Sequence, residues 1–229
     1  MRLDKFICDN TDLTRTDAKK AIREHRVLIN DNIAKSASIK LENDDQIQLD
    51  GKLIQALSLR YFILNKPKGY VCSTQDPDHP IVLSLLQEPQ RQKLHIAGRL
   101  DKDTTGLVLI TDDGQWSHRV TSPRSECIKR YRVSLDQPLS ETAQQQLQHG
   151  VALKNEPKPT RPAQVEQLSE TEIYLAISEG KYHQVKRMLA AVGNHVNELH
   201  RDRVGGICLD DSLAEGCYRS LTPEEIALF

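Results

Sequence analysis

Hydrophobic and polar positions follow two rhythms along this chain, one helical and one alternating, and the switches between them mark its elements. Leu3, Phe6 and Ile7 fall at helical spacing. Ala18, Ala21, Ile22 and His25 share one face of a second predicted helix, Asp17–His25, with Thr14 or Thr16 as its cap. Val27-Leu28-Ile29 then reads as a strand entering an Asn30-Asp31 turn, and Ile47-Gln48-Leu49 as a strand closed by Asp50-Gly51. Residues 51–60 carry no strong pattern and read as a linker. Tyr61–Leu64 is a predicted strand, stopped by Asn65-Lys66-Pro67-Lys68-Gly69 because the residue before a proline is pushed out of the helical region.

Further on, Leu107-Val108-Leu109-Ile110 is an unbroken apolar run rich in β-branched residues, which predicts a buried strand. Gln115–Val120 reads as a short helix carrying Trp116. In Lys129–Leu135, alternation places Tyr131, Val133 and Leu135 on one strand face, and Arg130 and Arg132 on the other. A Gln-rich helix over Glu141–Gly150, an irregular proline-rich stretch over Glu156–Pro162 and a strand over Ile173–Ile177 follow. Tyr182–Val192 is a predicted helix with a stripe of Val185, Met188, Leu189 and Val192, and Gly193 sits at its C-cap. Thr222 and Glu225 spell a capping box around Pro223. The pattern divides the chain into a small unit over 1–50, the linker 51–60 and a larger domain over 61–229.

Composition narrows the classes. Apolar residues make up 38% and charged residues 28%, which fits a modest core under a well-solvated surface. The net charge of −1 gives no bulk attraction to nucleic acid, so any such binding needs a local patch. One exists: Arg15, Lys19, Lys20, Arg23 and Arg26 crowd the second helix against Asp17 and Glu24 alone. The five cysteines are scattered and never spaced C-x-x-C, as expected of reduced thiols in a cytoplasmic protein. No apolar run is long enough for a membrane-spanning helix, and the charged N-terminus does not read as a signal peptide.

Candidate chemistry centres on Gly98-Arg99-Leu100-Asp101-Lys102-Asp103-Thr104-Thr105-Gly106. A carboxylate in a tight polar loop, between an arginine and a buried strand, can be pre-oriented and partly desolvated, as a nucleophile or base must be. Asp76-Pro77-Asp78-His79-Pro80 has metal-ligand residue types, but turn chemistry accounts for them.

The run G-R-L-D-x-D-T-x-G-L-x-L-x-T-x-D-G resembles the catalytic motif of the RluA/RsuA-type pseudouridine synthases. So do N-K-P-x-G at Asn65–Gly69, K-x-Y-x-V at Lys129–Val133 and E-G-K-Y-H-Q-V-K-R-M-L at Glu179–Leu189, all in the family's order. In the first fifty residues, R-L-D-K-F-I, T-R-x-x-A-K-K-x-I-R and V-x-I-N-D resemble the S4-type RNA-binding motif, with Asn30-Asp31 where Asn-Gly is usual. The Asp76–Pro80 loop and the Asp-Gly-Gln-Trp-Ser-His run at 113–118 place the likeness on the RsuA branch.

The resemblance implies an α+β fold, a small S4-like RNA-binding unit followed by a larger catalytic domain with a mixed, mainly antiparallel sheet and flanking helices, and it implies isomerisation of a uridine in small-subunit (16S) ribosomal RNA to pseudouridine, with no cofactor and no metal. It implies that Asp101 is the essential carboxylate, Lys186 its charge partner and Tyr131 a contact to the flipped base. Arg99 would help displace or hold the nucleotide. Arg15, Lys19, Lys20, Arg23 and Arg26 would meet RNA phosphates. At about 100° per residue Lys186 flanks the apolar stripe, where it can reach a partly buried carboxylate. Arg187 lies near the opposite face, toward solvent or RNA backbone. The expected partner is ribosomal RNA, bare or as an assembly intermediate with ribosomal proteins, and a cytoplasmic monomer is expected. Two other readings stay open at this point. Asp101-x-Asp103-x-Thr105 also satisfies the D-x-D-x-[ST] loop of Mg-dependent haloacid-dehalogenase-like phosphotransferases, though that loop should follow a long apolar strand. A non-catalytic rRNA-binding or assembly factor is the other.

Overall fold

The computed structural model describes residues 1–42, 44–55 and 58–229. Two compact units emerge, Met1–Leu59 and Arg60–Phe229. In the first, α1 (Leu3–Asn10) and α2 (Arg15–Arg23) precede β1 (Val27–Ile29), β2 (Asn32–Ile33), β3 (Ile47–Leu49) and β4 (Lys52–Leu53), which form a sheet in the order β2-β1-β3-β4. Leu3 and Ile7 of α1 and Ala18, Ala21 and Ile22 of α2 bury together with Val27 and Ile47. Thr14 caps α2 by accepting from the Asp17 amide at 3.2 Å. Asn30 and Asp31 both have positive φ, as do Asp50 and Gly51, so each hairpin closes on a turn whose twist matches its strands.

Two readings change here. His25 lies beyond the helix, exposed and with φ +59°, because α2 stops at Arg23 and the chain reverses into β1. The stretch 51–60 is not wholly linker: Gln48 pairs with Leu53 and Leu49 with Lys52. Ala56 and Leu57 lie outside the described residues.

The second unit runs through β5 (Tyr61–Lys66), β6 (His95–Ala97), β7 (Thr105–Thr111), α3 (Gly114–Thr121), β8 (Lys129–Leu135), α4 (Glu141–His149), β9 (Gln164–Ser169), β10 (Glu172–Ile177), α5 (Gln184–Ala191), β11 (Val196–Val204), β12 (Ile207–Cys208), β13 (Tyr218–Ser220) and α6 (Pro223–Ile226). Its sheet has the order β13-β5-β7-β11-β8-β10-β9, with β6 added beside β7 and β12 beside β11. Among the described residues β7 and β11 form the one parallel pair of named strands, so the sheet is mixed and mainly antiparallel. The fold is α+β.

The apolar run Leu107–Ile110 is covered on both sheet faces. Val108 and Ile110 pack with Leu64, Val133, Leu175, Met188 and Leu189, whereas Leu107 and Leu109 pack with Ile63, Trp116 and Val120. That double coverage is why it reads as continuous rather than alternating. Strand β8 is covered on one face: Tyr131, Val133 and Leu135 are buried, and Arg132 is exposed. The capping box is present, with Thr222 and Glu225 each bonded to the other's backbone. Helix α5 starts two residues later than its apolar pattern predicts. His183 adopts a left-handed conformation at φ +47° and turns the chain immediately before it.

Candidate active site

The loop between β6 and β7 carries Arg99, Asp101 and Asp103, and two buried cations hold it by its backbone. Arg201 of β11 is 2% exposed. Its guanidinium donates to the carbonyls of Gly98 and Leu107, each at 2.8 Å, and of Arg99 at 3.3 Å. Lys66, at the end of β5, has no exposure; its ammonium donates to the carbonyls of Thr104 at 2.7 Å, Pro67 at 3.1 Å and Lys102 at 3.2 Å. Burial pushes the Lys66 ammonium below the ordinary lysine range, against the attraction of Cys72, Asp103 and Asp101. The Leu100 amide donates to the Cys72 thiol at 3.3 Å, and the Gly69 amide to the Lys102 carbonyl at 2.8 Å. Gly106 is required where the loop enters β7. Its φ is +102°, and a Cβ there would lie 2.2 Å from the Arg201 carbonyl oxygen.

Register aligns the rest. Gly106 of β7 pairs with Arg201 of β11, Arg201 with Tyr131 of β8, and Tyr131 with Leu175 of β10. Tyr131 therefore lies one strand from the cation that grips the loop, and that guanidinium sits 6.0 Å from the tyrosine ring centre. Tyr131 is nearly buried, with its ring among core residues.

Helix α5 supplies the other wall. Val185, Met188 and Leu189 anchor it in the core, and this leaves Lys186 at the flank. The Lys186 ammonium lies 3.4 Å from one Asp101 carboxylate oxygen, and His183 Nε2 lies 3.4 Å from the other. The Asp101 side chain is 28% exposed, half-sheltered but open to a ligand. Lys186 is closer to Asp103, at 2.6 Å, than to Asp101. Two carboxylates at i and i+2 of one loop thus share a single ammonium. Burial pushes the Asp103 carboxyl up, but the Lys186 hydrogen bond and charge outweigh it and hold the group below its ordinary value.

The remaining sequence candidates are placed as follows. Arg99 is exposed on the loop. Arg187 does not face open solvent. It bonds Glu156 at 3.0 Å and the Tyr182 carbonyl at 3.0 Å, because the irregular stretch 151–163 folds back over that side of α5. In the first unit Arg15, Lys19, Lys20 and Arg23 are exposed on α2. Lys19 and Arg23 flank a concavity with Lys35 and Ser36. Lys20 approaches Glu24 at 3.9 Å, and Arg26 is engaged by Asp50 at 2.7 Å and Glu24 at 3.3 Å. In the Asp76–Pro80 loop, Asp76 accepts from the amides of Asp78 and His79, which is turn chemistry.

Sequence reading overlooked four side chains at this site: His183, Lys66, Arg201 and, as a Lys186 partner, Asp103. Lys66 and His183 stood inside motifs valued for their turns and helix. Arg201 left a detectable trace, since it shares an inward-facing strand parity with Leu199, where an arginine needs buried acceptors. Between Asp101 and Asp103 the phosphotransferase reading requires a bound cation; the position holds the Lys186 ammonium. The strand before the loop, β6, has three residues rather than a long apolar run.

Residues 60–191 match the family model described as RNA pseudouridylate synthase, and residues 1–47 match the S4 domain. The chain is 57% identical over 228 residues to ribosomal small subunit pseudouridine synthase A of Yersinia pestis, covering 99% of this chain and 97% of that protein. It is 57% identical to the protein of the same name from Escherichia coli (strain K12), covering 99% of each. It is 51% identical to that of Haemophilus influenzae, covering 99% of this chain and 98% of that one. Among solved structures, one described as a pseudouridylate synthase superposes with a TM-score of 0.73 at 50% identity, over the whole of both chains.

Proposed function

The chain belongs to the RNA pseudouridylate synthase family, and from that premise we propose that it isomerises a uridine of small-subunit ribosomal RNA, with Asp101 as its essential carboxylate. The substrate follows the printed names of the relatives that match it end to end. The reaction breaks the bond from the ribose to the base nitrogen, turns the uracil and rejoins it through carbon 5, whose hydrogen leaves as a proton. Atoms and electrons balance within the nucleotide and water.

One observation carries the assignment of Asp101: each of its two carboxylate oxygens has its own nitrogen neighbour, Lys186 or His183, at 3.4 Å. Contacts to both oxygens from two different side chains fix the plane of the group. Lys66 and Arg201 set the loop backbone beneath it. The target base has to leave the RNA stack to reach this carboxylate. Tyr131 then lines the pocket floor, and exposed Arg99 at the rim helps hold the displaced strand. The basic face of α2 meets phosphates, which orients the RNA without reading its sequence. Ribosomal proteins on a partly assembled subunit would complete the substrate if bare RNA lacks the required shape.

The test is small-subunit rRNA carrying tritium at uridine carbon 5, from which ring rejoining releases label to water. Wild type should release it with and without chelator. Asp101→Asn should release none while its RNA affinity stays within about three-fold. An Asp101→Asn protein that turns over, or one that loses RNA binding outright, removes Asp101 from the chemistry. No release by wild type from either bare rRNA or partly assembled subunits would overturn the substrate.

A further inference from the structure

Tyr182 is 76% exposed, the most exposed large apolar side chain among the described residues, yet it stands at the edge of the site. Its ring stacks on the His183 imidazole at 3.8 Å between centres, with planes 19° apart. That imidazole is the one whose Nε2 neighbours Asp101. The order from site to solvent is therefore Asp101, His183, Tyr182, with one ring face of Tyr182 covered and the other open.

The segment is built to hold this ring still. His183 turns left-handed at φ +47°, which folds the imidazole under the phenol. The Tyr182 carbonyl accepts from Arg187 at 3.0 Å. The Lys181 amide donates to Gln184 Oε1 at 2.8 Å, and the Lys181 ammonium meets Glu156 at 3.4 Å, on the carboxylate that also holds Arg187. Arg187 thus serves the segment from behind. The Tyr182 ring is thus presented to water at 76% exposure on a backbone held by hydrogen bonds at its own carbonyl and at the Lys181 amide. Every nucleobase offers a flat π-face that such a ring can take up, and single-stranded RNA is held on aromatic platforms of this kind.

We propose that Tyr182 is the stacking platform for a base adjoining the target uridine. Extruding the uridine leaves its neighbour with one bare face. The open face of Tyr182 takes the place of the lost stacking partner, and the Tyr182-His183 pair continues the stack toward Asp101. Tyr182 is a substrate-positioning residue that sets which local RNA conformation presents its uridine. This rests on Asp101 marking the site.

The test couples a protein change to an RNA change. After the modified uridine is mapped, rRNA fragments are made with an abasic residue on its 5′ side or its 3′ side. Tritium release is then measured at subsaturating RNA. Tyr182→Ala and Tyr182→Leu should lower kcat/KM on intact RNA by about 5- to 150-fold, the range for losing one base–aromatic stack. Tyr182→Phe, which keeps the ring, should recover that loss to within about two-fold. On one of the two abasic RNAs wild type should lose a similar factor, and Tyr182→Ala should lose nothing more. Thermal unfolding of Tyr182→Ala should match wild type, since the ring is exposed. An Ala variant as fast as wild type, a Phe variant as slow as Ala, or an Ala penalty of equal size on all three RNAs would each overturn the proposal. Asp101→Asn in the same series separates the two readings: its activity reports the site, whereas the protein–RNA coupling reports Tyr182.

Discussion

At the scale of single residues the site works by sharing. Lys186 serves two carboxylates, at 2.6 Å and 3.4 Å, and Asp101 is served by two nitrogens. A lone lysine–aspartate pair would leave the carboxylate free to swing. Here one oxygen is referred to α5 and the other to the residue that precedes it. The sharing has a consequence for acid stability. The Asp103 carboxyl is held below its ordinary value of 3.8 in the folded protein. Its contribution is therefore present above that value and lost as pH falls through the folded one. Lys186→Met should remove the contribution, so its thermal midpoint should fall less steeply than that of wild type on going below pH 3.8. Parallel acid arms would show that the 2.6 Å contact does not survive in solution.

At the scale of elements, Lys66 and Arg201 secure the loop through its backbone carbonyls, in addition to the ion pairs Lys186 makes with Asp101 and Asp103. Lys66 and Arg201 each give their hydrogen bonds to carbonyls, so their grip is indifferent to side-chain substitutions within the loop itself. A second fastening sits at the far end of β7. Asp113 caps α3 by accepting from the Gln115 amide at 2.9 Å and the Trp116 amide at 3.1 Å, and it also accepts from the Tyr61 hydroxyl of β5 at 2.9 Å. Burial, followed by that hydrogen bond, pushes the Tyr61 phenol from 10.0 up to about 12. Below pH 10.0 the phenol is protonated in both folded and unfolded chains. Between there and about 12 only the unfolded chain loses the proton, so stability falls. Tyr61→Phe should make this alkaline slope shallower in urea denaturation across that range, while costing about 1.5 kcal/mol at neutral pH for the lost bond to a charged acceptor. A variant that keeps the wild-type slope would place the alkaline transition elsewhere.

At the scale of the whole molecule, each of the two units has its own core, and the proposed function assigns phosphate contacts to the first and the chemistry to the second. The basic residues of α2 are not equivalent. Arg26 already spends its guanidinium on Asp50 and Glu24, whereas Lys19 and Arg23 face the groove with Lys35. Neutralising Lys19, Lys20 and Arg23 together should flatten the dependence of log affinity on log salt by roughly 2 units, at about 0.7–0.9 per phosphate contact. Arg26→Gln should change that slope by much less than one unit. Equal effects from the two variants would mean that the Arg26–Asp50 pair opens on binding; no effect from the triple variant would take this face out of the RNA interface.

Local pattern was enough for much of this architecture. The stripe Val185, Met188 and Leu189 and the alternation Tyr131, Val133 and Leu135 declare their buried faces, because helix and strand periods are set by the backbone. The Thr222–Glu225 box and the Asn30-Asp31 and Asp50-Gly51 turns are likewise local, with all their partners within a few residues. The motif order carried the family and pointed to Asp101, Tyr131 and Lys186. What tertiary structure decided were the partners of long side chains. Arg201 reaches residues about a hundred positions away, Lys66 meets Thr104 across 38, and Arg187 turns back to Glu156. His183 becomes a neighbour of Asp101 only because a left-handed turn brings its ring back toward the loop. Periodicity tells which face of an element is buried, but a flexible charged side chain goes to whatever acceptors the other elements leave unpaired, and those exist only once the sheet has brought β5, β7 and β11 together.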